Sequence, residues 1–276
     1  MPSANIYSIT ASDDITGAGI KVIDLSGDIN ATGANLIDVS GDVSTSLITT
    51  IKGSAGDDTI IGSSIAQTLI GGDGNDTFKY SSQASLVSGR FVDSISGGDG
   101  SADAINLNAV STALTIGATD SWARVDTVER VTVQASPNAY GITVGDDVTA
   151  AGINTIDLSG DTNPVGVNTI NIANDKTASI ITTITGSTGS DIITGNSIAQ
   201  TISGGNGDDT FNYTVQSDFV SSGGVIDSIS GDDGSDTLNL SSVTNAFAIA
   251  NTDSWANVKS VEQIAVMPST CLLYTS

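Results

Sequence analysis

The residues with the greatest capacity for chemistry are aspartates that recur with glycines in units of nine. The units GSAGDDTII, GSSIAQTLI and GGDGNDTFK follow one another from Gly53 to Lys79. Close copies, GSTGSDIIT, GNSIAQTIS and GGNGDDTFN, run from Gly186 to Asn212. The two sets are separated by the distance from Gly53 to Gly186, and we call this constant offset between equivalent residues the long repeat. Carboxylates and turn carbonyls are the hard oxygen ligands that Ca²⁺ prefers, and glycine permits the tight turns that bring them together. The spacing therefore predicts calcium sites between stacked turns.

Bulk composition narrows the classes of partner. The 276 residues include 31 acidic and 8 basic side chains, for a net charge of −23. Such a surface repels nucleic acids and anionic membranes and attracts cations, so we predict no nucleic-acid binding and no membrane insertion. Histidine is absent and Cys271 is the sole cysteine. A nucleophile–base pair that uses histidine cannot form, and we predict that the chain is not an enzyme.

Local patterns favour strands over helices. Short runs rich in Ile, Val and Thr recur between Gly, Asp, Asn and Ser, which is typical of short strands joined by polar turns. Only 121–129 and its copy 254–262 have an apolar spacing that favours a helix. No apolar run is long enough for a transmembrane helix, and the first residues lack the pattern of a cleavable signal peptide. We predict an all-β fold.

The nine-residue step predicts how the strands stack. The eighth position of every unit is a large apolar residue, namely Ile60, Leu69, Phe78, Ile193, Ile202 and Phe211. An apolar side chain that returns at a fixed short period indicates a parallel β-solenoid, that is, a β-roll or β-helix. Two nonapeptide units then form one coil, with turns on alternating edges.

The middle unit of each trio supports this coil. Gln67 and Gln200 stand where the flanking units have aspartate, and Ile65 and Ile198 replace a turn glycine. In a coil of two units the middle turn lies on the opposite edge, where we expect it to have no stacked partner. A carboxylate there would have no ion to hold.

The turns that stack on one edge supply the predicted Ca²⁺ ligands. They are the sixth-position aspartates Asp58, Asp76, Asp191 and Asp209, the first-position glycines Gly53, Gly71, Gly186 and Gly204, and Asp73. Later aspartate-rich turns at 97–107 and 231–240 add Asp103 and Asp236, of which Asp236 keeps the nine-residue register and Asp103 sits one place late. Stacked without cations, these acids would repel one another.

The long repeat extends beyond the nonapeptides and predicts two tandem homologous modules. The sequence Asp-Ser-Trp-Ala at 120–123 returns at 253–256. The predicted modules are 11–136, with repeats at 53–79 and 97–107, and 144–268, with repeats at 186–212 and 231–240. The segment 136–141, which contains Pro137, is the predicted joint. Residues 269–276 break the compositional pattern and are predicted to be a non-native tail.

The nonapeptides resemble the RTX family, the hemolysin-type calcium-binding repeat proteins, over about 53–107 and 186–240. The resemblance implies a β-roll that folds on Ca²⁺ outside the cell, after type I secretion, and that has no activity of its own. Few ideal units are consecutive, and Ser54 and Ser187 stand where the family has glycine. The segment VxxVExVxV is similar to segments of S-layer-like and adhesin-like proteins. We therefore expect a calcium-binding structural region of a secreted or cell-surface protein, with self-assembly or surface glycans as further interactions.

Two other motifs have structural interpretations. IDLSGD at 23–28 and 156–161 and IDVSGD at 37–42 lack the glycine-rich opening, so plain solenoid turns are favoured over further calcium turns. Trp122 and Trp255 are favoured as core anchors over carbohydrate-stacking residues.

Two rival functions stay open, both of which also use β-solenoids. One is the non-catalytic part of a secreted polysaccharide-active enzyme, and the other is an adhesin or ice-binding repeat. The two glutamates, Glu129 and Glu262, fall in separate repeats and therefore do not form a catalytic pair. The ITTI tracts at 48–51 and 181–184 are short for the threonine ladder of an ice-binding face.

Overall fold

The fold is a parallel β-solenoid, as the nine-residue step predicts. A computed structural model describes residues 6–13, 17–42, 48–109, 111–221, 223–240, 248–250 and 253–266. Strands one coil apart pair in parallel, and the described coils also include a short antiparallel pair, β20 (Val220–Ser221) with β21 (Gly224–Val225). No helix in the described part of the chain is long and apolar enough to cross a membrane.

Three parallel sheets form the walls of the solenoid. Sheet A contains, in spatial order, β1 (Ser8–Ser12), β3 (Leu36–Gly41), β5 (Thr59–Ile61), β7 (Thr77–Tyr80), β9 (Ala104–Leu107), β12 (Arg130–Val133), β14 (Thr155–Asp157), β16 (Thr183–Thr185), β18 (Thr201–Asn206), β22 (Ser228–Asp233) and β24 (Val258–Lys259). Sheet B contains β11 (Val125–Asp126), β8 (Ser94–Asp99), β6 (Thr68–Asp73), β4 (Thr50–Lys52) and β2 (Val22–Asp24). Sheet C contains β10 (Leu114–Ile116), β13 (Tyr140–Gly145), β15 (Asn168–Asn174), β17 (Asp191–Thr194), β19 (Thr210–Tyr213), β23 (Thr237–Leu240) and β25 (Gln263–Ala265). The described ranges contain three complete helices of one turn, α1 (Gln83–Leu86), α2 (Val148–Ala151) and α3 (Gln216–Phe219).

Strand register confirms the coil of two nonapeptide units. Thr50 pairs with Thr68 in sheet B, and Thr59 pairs with Thr77 in sheet A. The six eighth-position residues, Ile60, Leu69, Phe78, Ile193, Ile202 and Phe211, are all buried in one continuous core. The inward-facing middle residue of each three-residue strand explains why one apolar side chain per nine is sufficient.

Sheet A runs through both sequence repeats, whereas the opposite wall changes from sheet B to sheet C. The turn 53–58 precedes the sheet A strand β5, while its copy 186–191 follows the sheet A strand β16. Because all strands of sheet A are parallel, the two sets of aspartate turns lie at opposite ends of its strands: the first set at the amino-terminal ends and the second at the carboxyl-terminal ends. Strand β12 pairs with β14 across the predicted joint, and the module boundaries themselves stay a prediction from the sequence repeat.

The prediction of helix at 121–129 and 254–262 is wrong. In the first segment, the Val125 N–H donates to the Trp122 carbonyl at 2.8 Å to close a turn, after which β11 pairs with β8. Trp122 is buried with its ring 4.6 Å from that of Phe91, so the predicted core role is confirmed. Burial of this ring and pairing with sheet B outweigh the helical spacing. The predicted tail, 269–276, lies outside the described residues.

The two aspartates of the IDLSGD and IDVSGD motifs have different surroundings, and the absence of Ca²⁺ from these turns stays a prediction. The first aspartate of each motif, Asp24, Asp38 or Asp157, accepts hydrogen bonds from the backbone and hydroxyl of the serine two residues on. This Asx-type contact accounts for the first aspartate of each motif. The second aspartate differs, because Asp28 Oδ2 and both carboxylate oxygens of Asp42 are buried without a hydrogen-bond donor.

Candidate metal centre

The sixth-position aspartates are joined by hydrogen bonds from coil to coil. In the first repeat, Asp76 Oδ1 accepts the Asp58 N–H at 2.7 Å, and Asp103 Oδ1 accepts the Asp76 N–H at 2.6 Å. Glu129 Oε2 ends the series by accepting the Asp103 N–H at 2.8 Å. Asn35, whose N–H donates to Asp58 Oδ1 at 2.9 Å, begins it. We call these five residues row 1.

The second repeat builds the same arrangement, which we call row 2. It consists of Asn168, Asp191, Asp209, Asp236 and Glu262, each one long repeat after its counterpart in row 1. The N–H groups of Asp191, Asp209 and Asp236 donate to the next carboxylate at 2.7, 2.8 and 2.8 Å. The repetition of the contact in both copies shows that the stacked turns themselves determine it.

Four carboxylates in the rows have one oxygen that is buried without a hydrogen-bond donor. They are the Oδ2 atoms of Asp76, Asp103, Asp209 and Asp236. A buried oxygen without a donor is costly, and more so when it carries charge. The first aspartate of each row differs, because Asp58 Oδ2 accepts the Ser54 N–H at 2.6 Å and Asp191 Oδ2 accepts the Ser187 N–H at 2.5 Å. The hydroxyl groups of Ser54 and Ser187 also donate to these carboxylates, at 2.9 Å and 3.2 Å. The serines that depart from the ideal motif therefore supply donors to the first aspartate of each row.

Each free carboxylate oxygen faces a backbone carbonyl of the next coil across a first-position glycine. A Cβ on Gly71 would lie 2.1 Å from Asp76 Oδ2 and 2.4 Å from the Gly97 carbonyl oxygen. The same pair of contacts, carboxylate and neighbouring carbonyl, occurs at Gly53, Gly97, Gly186, Gly204 and Gly231. Only glycine fits, and its place is lined by oxygen atoms of the two classes that Ca²⁺ prefers.

The electrostatics of the rows oppose full ionisation. Burial raises the pKa of Asp76 from an ordinary 3.8 to about 8, and the charges of Asp103 and Asp58 contribute. Burial likewise raises the pKa of Asp209 to about 7, with the charges of Asp191 and Asp236 adding to the effect. Neighbouring carboxylates that repel in this way are relieved by a bound cation.

The structure brings together most, but not all, of the residues predicted from sequence. Asp103, which sits one place late in the glycine register, joins row 1 because it follows Asp76 by 27 residues, as Asp236 follows Asp209. Asp73 stays outside the row, since its side chain is exposed on the rim and its backbone aligns with Asp99. In the described ranges no three acidic side chains converge on one point.

Sequence reasoning missed the glutamate that ends each row. Glu129 and Glu262 have no part in a nine-residue unit, yet each accepts the N–H of the last aspartate. A signal was available, because Glu129 follows Asp103 by 26 residues, close to the preceding step of 27. A second signal is that these are the only two glutamates of the chain and stand one long repeat apart.

The prediction that the middle turn has no stacked partner is wrong. The Gln67 N–H donates to Asp93 Oδ1 at 2.8 Å, and Asp93 Oδ2 accepts the Tyr80 hydroxyl at 2.8 Å. Gln200, Asp227 and Tyr213 make the same contacts in the second repeat. A buried carboxylate does occupy this edge, one coil later, but phenol and amide donors satisfy both of its oxygens.

The buried carboxyl groups of Asp93 and Asp227 predict that stability depends on pH differently in the two repeats. Burial raises the pKa of Asp93 to about 6 and that of Asp227 to about 7. Arg124 lowers the first, whereas Asn257 stands at the equivalent place beside the second repeat. Both pKa values are raised in the folded state, so the protonated carboxyl groups favour folding. Their contribution to the free energy of unfolding is fully present below the ordinary pKa of 3.8. It is lost as the pH rises through about 6 for Asp93 and about 7 for Asp227.

Asparagine cannot ionise, so we expect Asp227→Asn to raise the free energy of unfolding at neutral pH by roughly 3 kcal/mol. Asp93→Asn should raise it by less. Urea unfolding at a series of pH values in constant Ca²⁺ measures both. Equal effects of the two substitutions, or a stability that rises over this range through Asp227, would contradict the assignment.

Comparison with known protein families identifies the repeats. The RTX calcium-binding nonapeptide repeat matches residues 45–78, 185–220 and 214–242. These segments are RTX repeats. The matched RTX segments contain the row aspartates Asp58, Asp76, Asp191, Asp209 and Asp236. Ca²⁺ is the ion that RTX repeats bind, and the β-solenoid with its glycine turns fits that role. No significant match was found among curated proteins or among solved structures.

Proposed function

We propose that rows 1 and 2 hold Ca²⁺ and that this binding stabilises a structural region of a secreted or cell-surface, S-layer-like protein. The observation that carries the proposal is the set of four buried, donor-free carboxylate oxygens at equivalent places in the two rows. A cation supplies positive charge and accepts several oxygen ligands at once, which is what these atoms lack.

The residues proposed to hold the ion are the row carboxylates together with carbonyls of the first-position glycines. The carboxylates are those of Asp58, Asp76, Asp103, Asp191, Asp209 and Asp236, and the carbonyls are those of Gly71, Gly97, Gly204 and Gly231. Gly53 and Gly186 act by allowing the close approach of the next coil. Asp73 is left out because it is exposed on the rim.

Folding and binding are coupled in this proposal. In the absence of a cation the row carboxylates resist burial, as the pKa of about 8 at Asp76 indicates, and the chain stays loosely folded. Extracellular Ca²⁺, at roughly millimolar levels, suits weak sites of this kind. Ligands that bind only the folded state add to its stability, so the region folds after export.

RTX repeats are typical of secreted proteins, and we propose export by a type I system and a non-catalytic role. The chain offers no histidine and 8 basic residues, which supports a structural region over a polysaccharide-active site. Binding of surface glycans stays a proposal without a specific residue to carry it.

Flow dialysis with Ca²⁺ tests the proposal directly. We expect saturable binding at roughly millimolar free Ca²⁺, reduced in the double variant Asp76→Ala, Asp209→Ala, with little competition from Mg²⁺. The matched control is Asp38→Ala, which removes a carboxylate of a plain turn outside the rows. Unchanged binding in the double variant would refute the assignment of the rows.

A further inference from the structure

A cavity beside sheet B contains two of the three arginines of the chain. It is lined by Ala66, the segment 88–92 and Arg124, which precede the neighbouring strands β6, β8 and β11. We propose that this cavity, which we call the arginine cavity, binds a small monovalent carboxylate that carries a short aliphatic chain. The cavity lies outside both rows, so the inference does not depend on the proposed calcium function.

Backbone contacts hold the walls of the arginine cavity in place. The Ser88 N–H donates to the Arg90 carbonyl at 2.8 Å and closes a tight turn after α1. Arg90 also forms a parallel bridge with Ser121, one coil later. The Arg124 carbonyl accepts the Ile95 N–H at 2.7 Å. Both arginines therefore extend from backbone that is already ordered, so a ligand does not have to order it on binding.

The two guanidinium groups lack acidic partners within the described part of the chain. The sequence has 31 acidic side chains, yet no ion pair among the described residues involves Arg90 or Arg124. The third arginine, Arg130, does pair, with Asp157 at 3.1 Å. Arg124 Nη1 donates to the Val92 carbonyl, which fixes the side chain beside the cavity and uses one of its five N–H donors. Two unpaired guanidinium groups at one cavity attract an anion.

The buried acid next to the cavity, Asp93, does not take the place of the ligand. Burial raises the pKa of Asp93, and the charge of Arg124 offsets part of this effect. Asp93 Oδ1 accepts the Gln67 N–H and Oδ2 accepts the Tyr80 hydroxyl, both at 2.8 Å. Its carboxylate is therefore held on the inner side, and Asp93 is not among the residues that line the cavity.

The lining of the cavity indicates the class of ligand. A guanidinium group binds a carboxylate through two parallel hydrogen bonds, and Ala66 and Val92 add apolar surface beside the arginines. The cavity volume of about 360 Å³ falls within the range of roughly 300–1,000 Å³ that is usual for small-molecule sites. A net charge of −23 repels polyanions, so a ligand with a single negative charge and a short apolar part fits best.

The second repeat keeps the same backbone contacts without the two arginines. Gly224 forms with Ser254 the parallel bridge that Arg90 forms in the first repeat, so Gly224 is the equivalent of Arg90. Asn257 stands one long repeat after Arg124. The solenoid therefore forms this region without either guanidinium, which supports a binding role for the arginines over a structural one. Glycine and asparagine are also substitutions that the fold accommodates at these places.

Nuclear magnetic resonance of the ¹⁵N-labelled chain, titrated with butyrate in saturating Ca²⁺, tests the proposal. The chain has three arginines and therefore three guanidinium Nε–H signals. We expect the signals of Arg90 and Arg124 to shift and to saturate with a dissociation constant of roughly 1 mM. The signal of Arg130, which is paired with Asp157, should stay in place. Acetate, whose aliphatic part is shorter, should bind about threefold to tenfold more weakly than butyrate.

Saturation transfer from the protein to the butyrate protons compares variants. We expect the double variant Arg90→Gly, Arg124→Asn, which has the residues of the second repeat, to raise the dissociation constant at least about tenfold. Lys79→Asn is the matched control, because Asn212 is its equivalent and the substitution removes a positive charge away from the cavity. That variant should bind butyrate as the unaltered chain does.

Three results would overturn the proposal. The first is a titration in which the signals of Arg90 and Arg124 do not move, or move only in parallel with that of Arg130. The second is butyrate binding that the double variant leaves intact, and the third is equal affinity for acetate and butyrate. Far-UV circular dichroism shows whether each variant keeps the fold, and the titration of the unaltered chain does not depend on the variants.

Discussion

Asp76→Asn is expected to stabilise the protein in a calcium chelator and to weaken its response to Ca²⁺, an effect that changes sign with the ion. Asparagine keeps the oxygen that accepts the Asp58 N–H, so the stacking contact survives. It removes a carboxyl group whose pKa is raised to about 8, chiefly by burial, so folding near neutral pH no longer has to protonate that group or bury its charge. Without Ca²⁺ the gain is about 2 kcal/mol near neutral pH.

With Ca²⁺ present the same substitution removes a negative ligand, and the Ca²⁺ concentration at the folding midpoint should rise about tenfold. Far-UV circular dichroism in chelator, which reports the folded fraction, and a Ca²⁺ titration of the same signal measure the two effects. Asp73→Asn is the matched control, because it makes the same change of charge in the same turn on an exposed side chain. An Asp76→Asn protein that is destabilised in chelator, or that responds to Ca²⁺ as the unaltered chain does, would contradict the role of row 1.

Gly71→Ala is expected to destabilise the fold by about 3 kcal/mol in saturating Ca²⁺. The added Cβ would lie 2.1 Å from Asp76 Oδ2 and 2.4 Å from the Gly97 carbonyl. Both atoms belong to stacked turns held by strand pairing on either side, so neither can retreat without opening the coil.

Gly27→Ala is the control for the loss of a glycine. Nothing lies within 4 Å of a Cβ at Gly27, and its backbone is not in the left-handed region. We expect that substitution to be neutral or slightly stabilising. Thermal melts of the two proteins, compared with the unaltered chain, measure the difference. Equal melting temperatures would mean that the stacked turns are looser than the structure shows.

The local architecture could be predicted from the sequence because one short period determines it. Nine residues provide one turn and one strand, so the inward position of Ile60, Leu69 and Phe78 follows from counting alone. The placement of Asp58 above Asp76 follows from the same count. Where the period holds, the inward apolar positions and the stacking of the sixth-position aspartates agree with the structure.

The elements that interrupt the period could not be predicted in the same way. Glu129 joins row 1 only because the loop before it and the pairing of β11 with β8 together bring it into line. Asp93 reaches the Gln67 turn after the excursion through α1, whose length the nine-residue count does not set. Residues 108–129 include both β10 and β11, and this detour transfers the opposite wall from sheet B to sheet C.

The shared sheet A also changes how the two repeats should be viewed. The repeat predicts two equivalent modules side by side. The structure places their aspartate rows at opposite ends of the strands of one sheet. The rows are therefore separate, and a substitution in row 1 should leave binding in row 2 largely intact.

The central claim, that Ca²⁺ binding to the two rows stabilises the solenoid, is tested most directly by a Ca²⁺ titration followed by far-UV circular dichroism and thermal melting, with Mg²⁺ as the control. We expect the β-sheet signal and the melting temperature to rise as free Ca²⁺ reaches roughly millimolar levels, while Mg²⁺ has little effect. A spectrum and a melting temperature that do not change with Ca²⁺, or that respond equally to Mg²⁺, would contradict it.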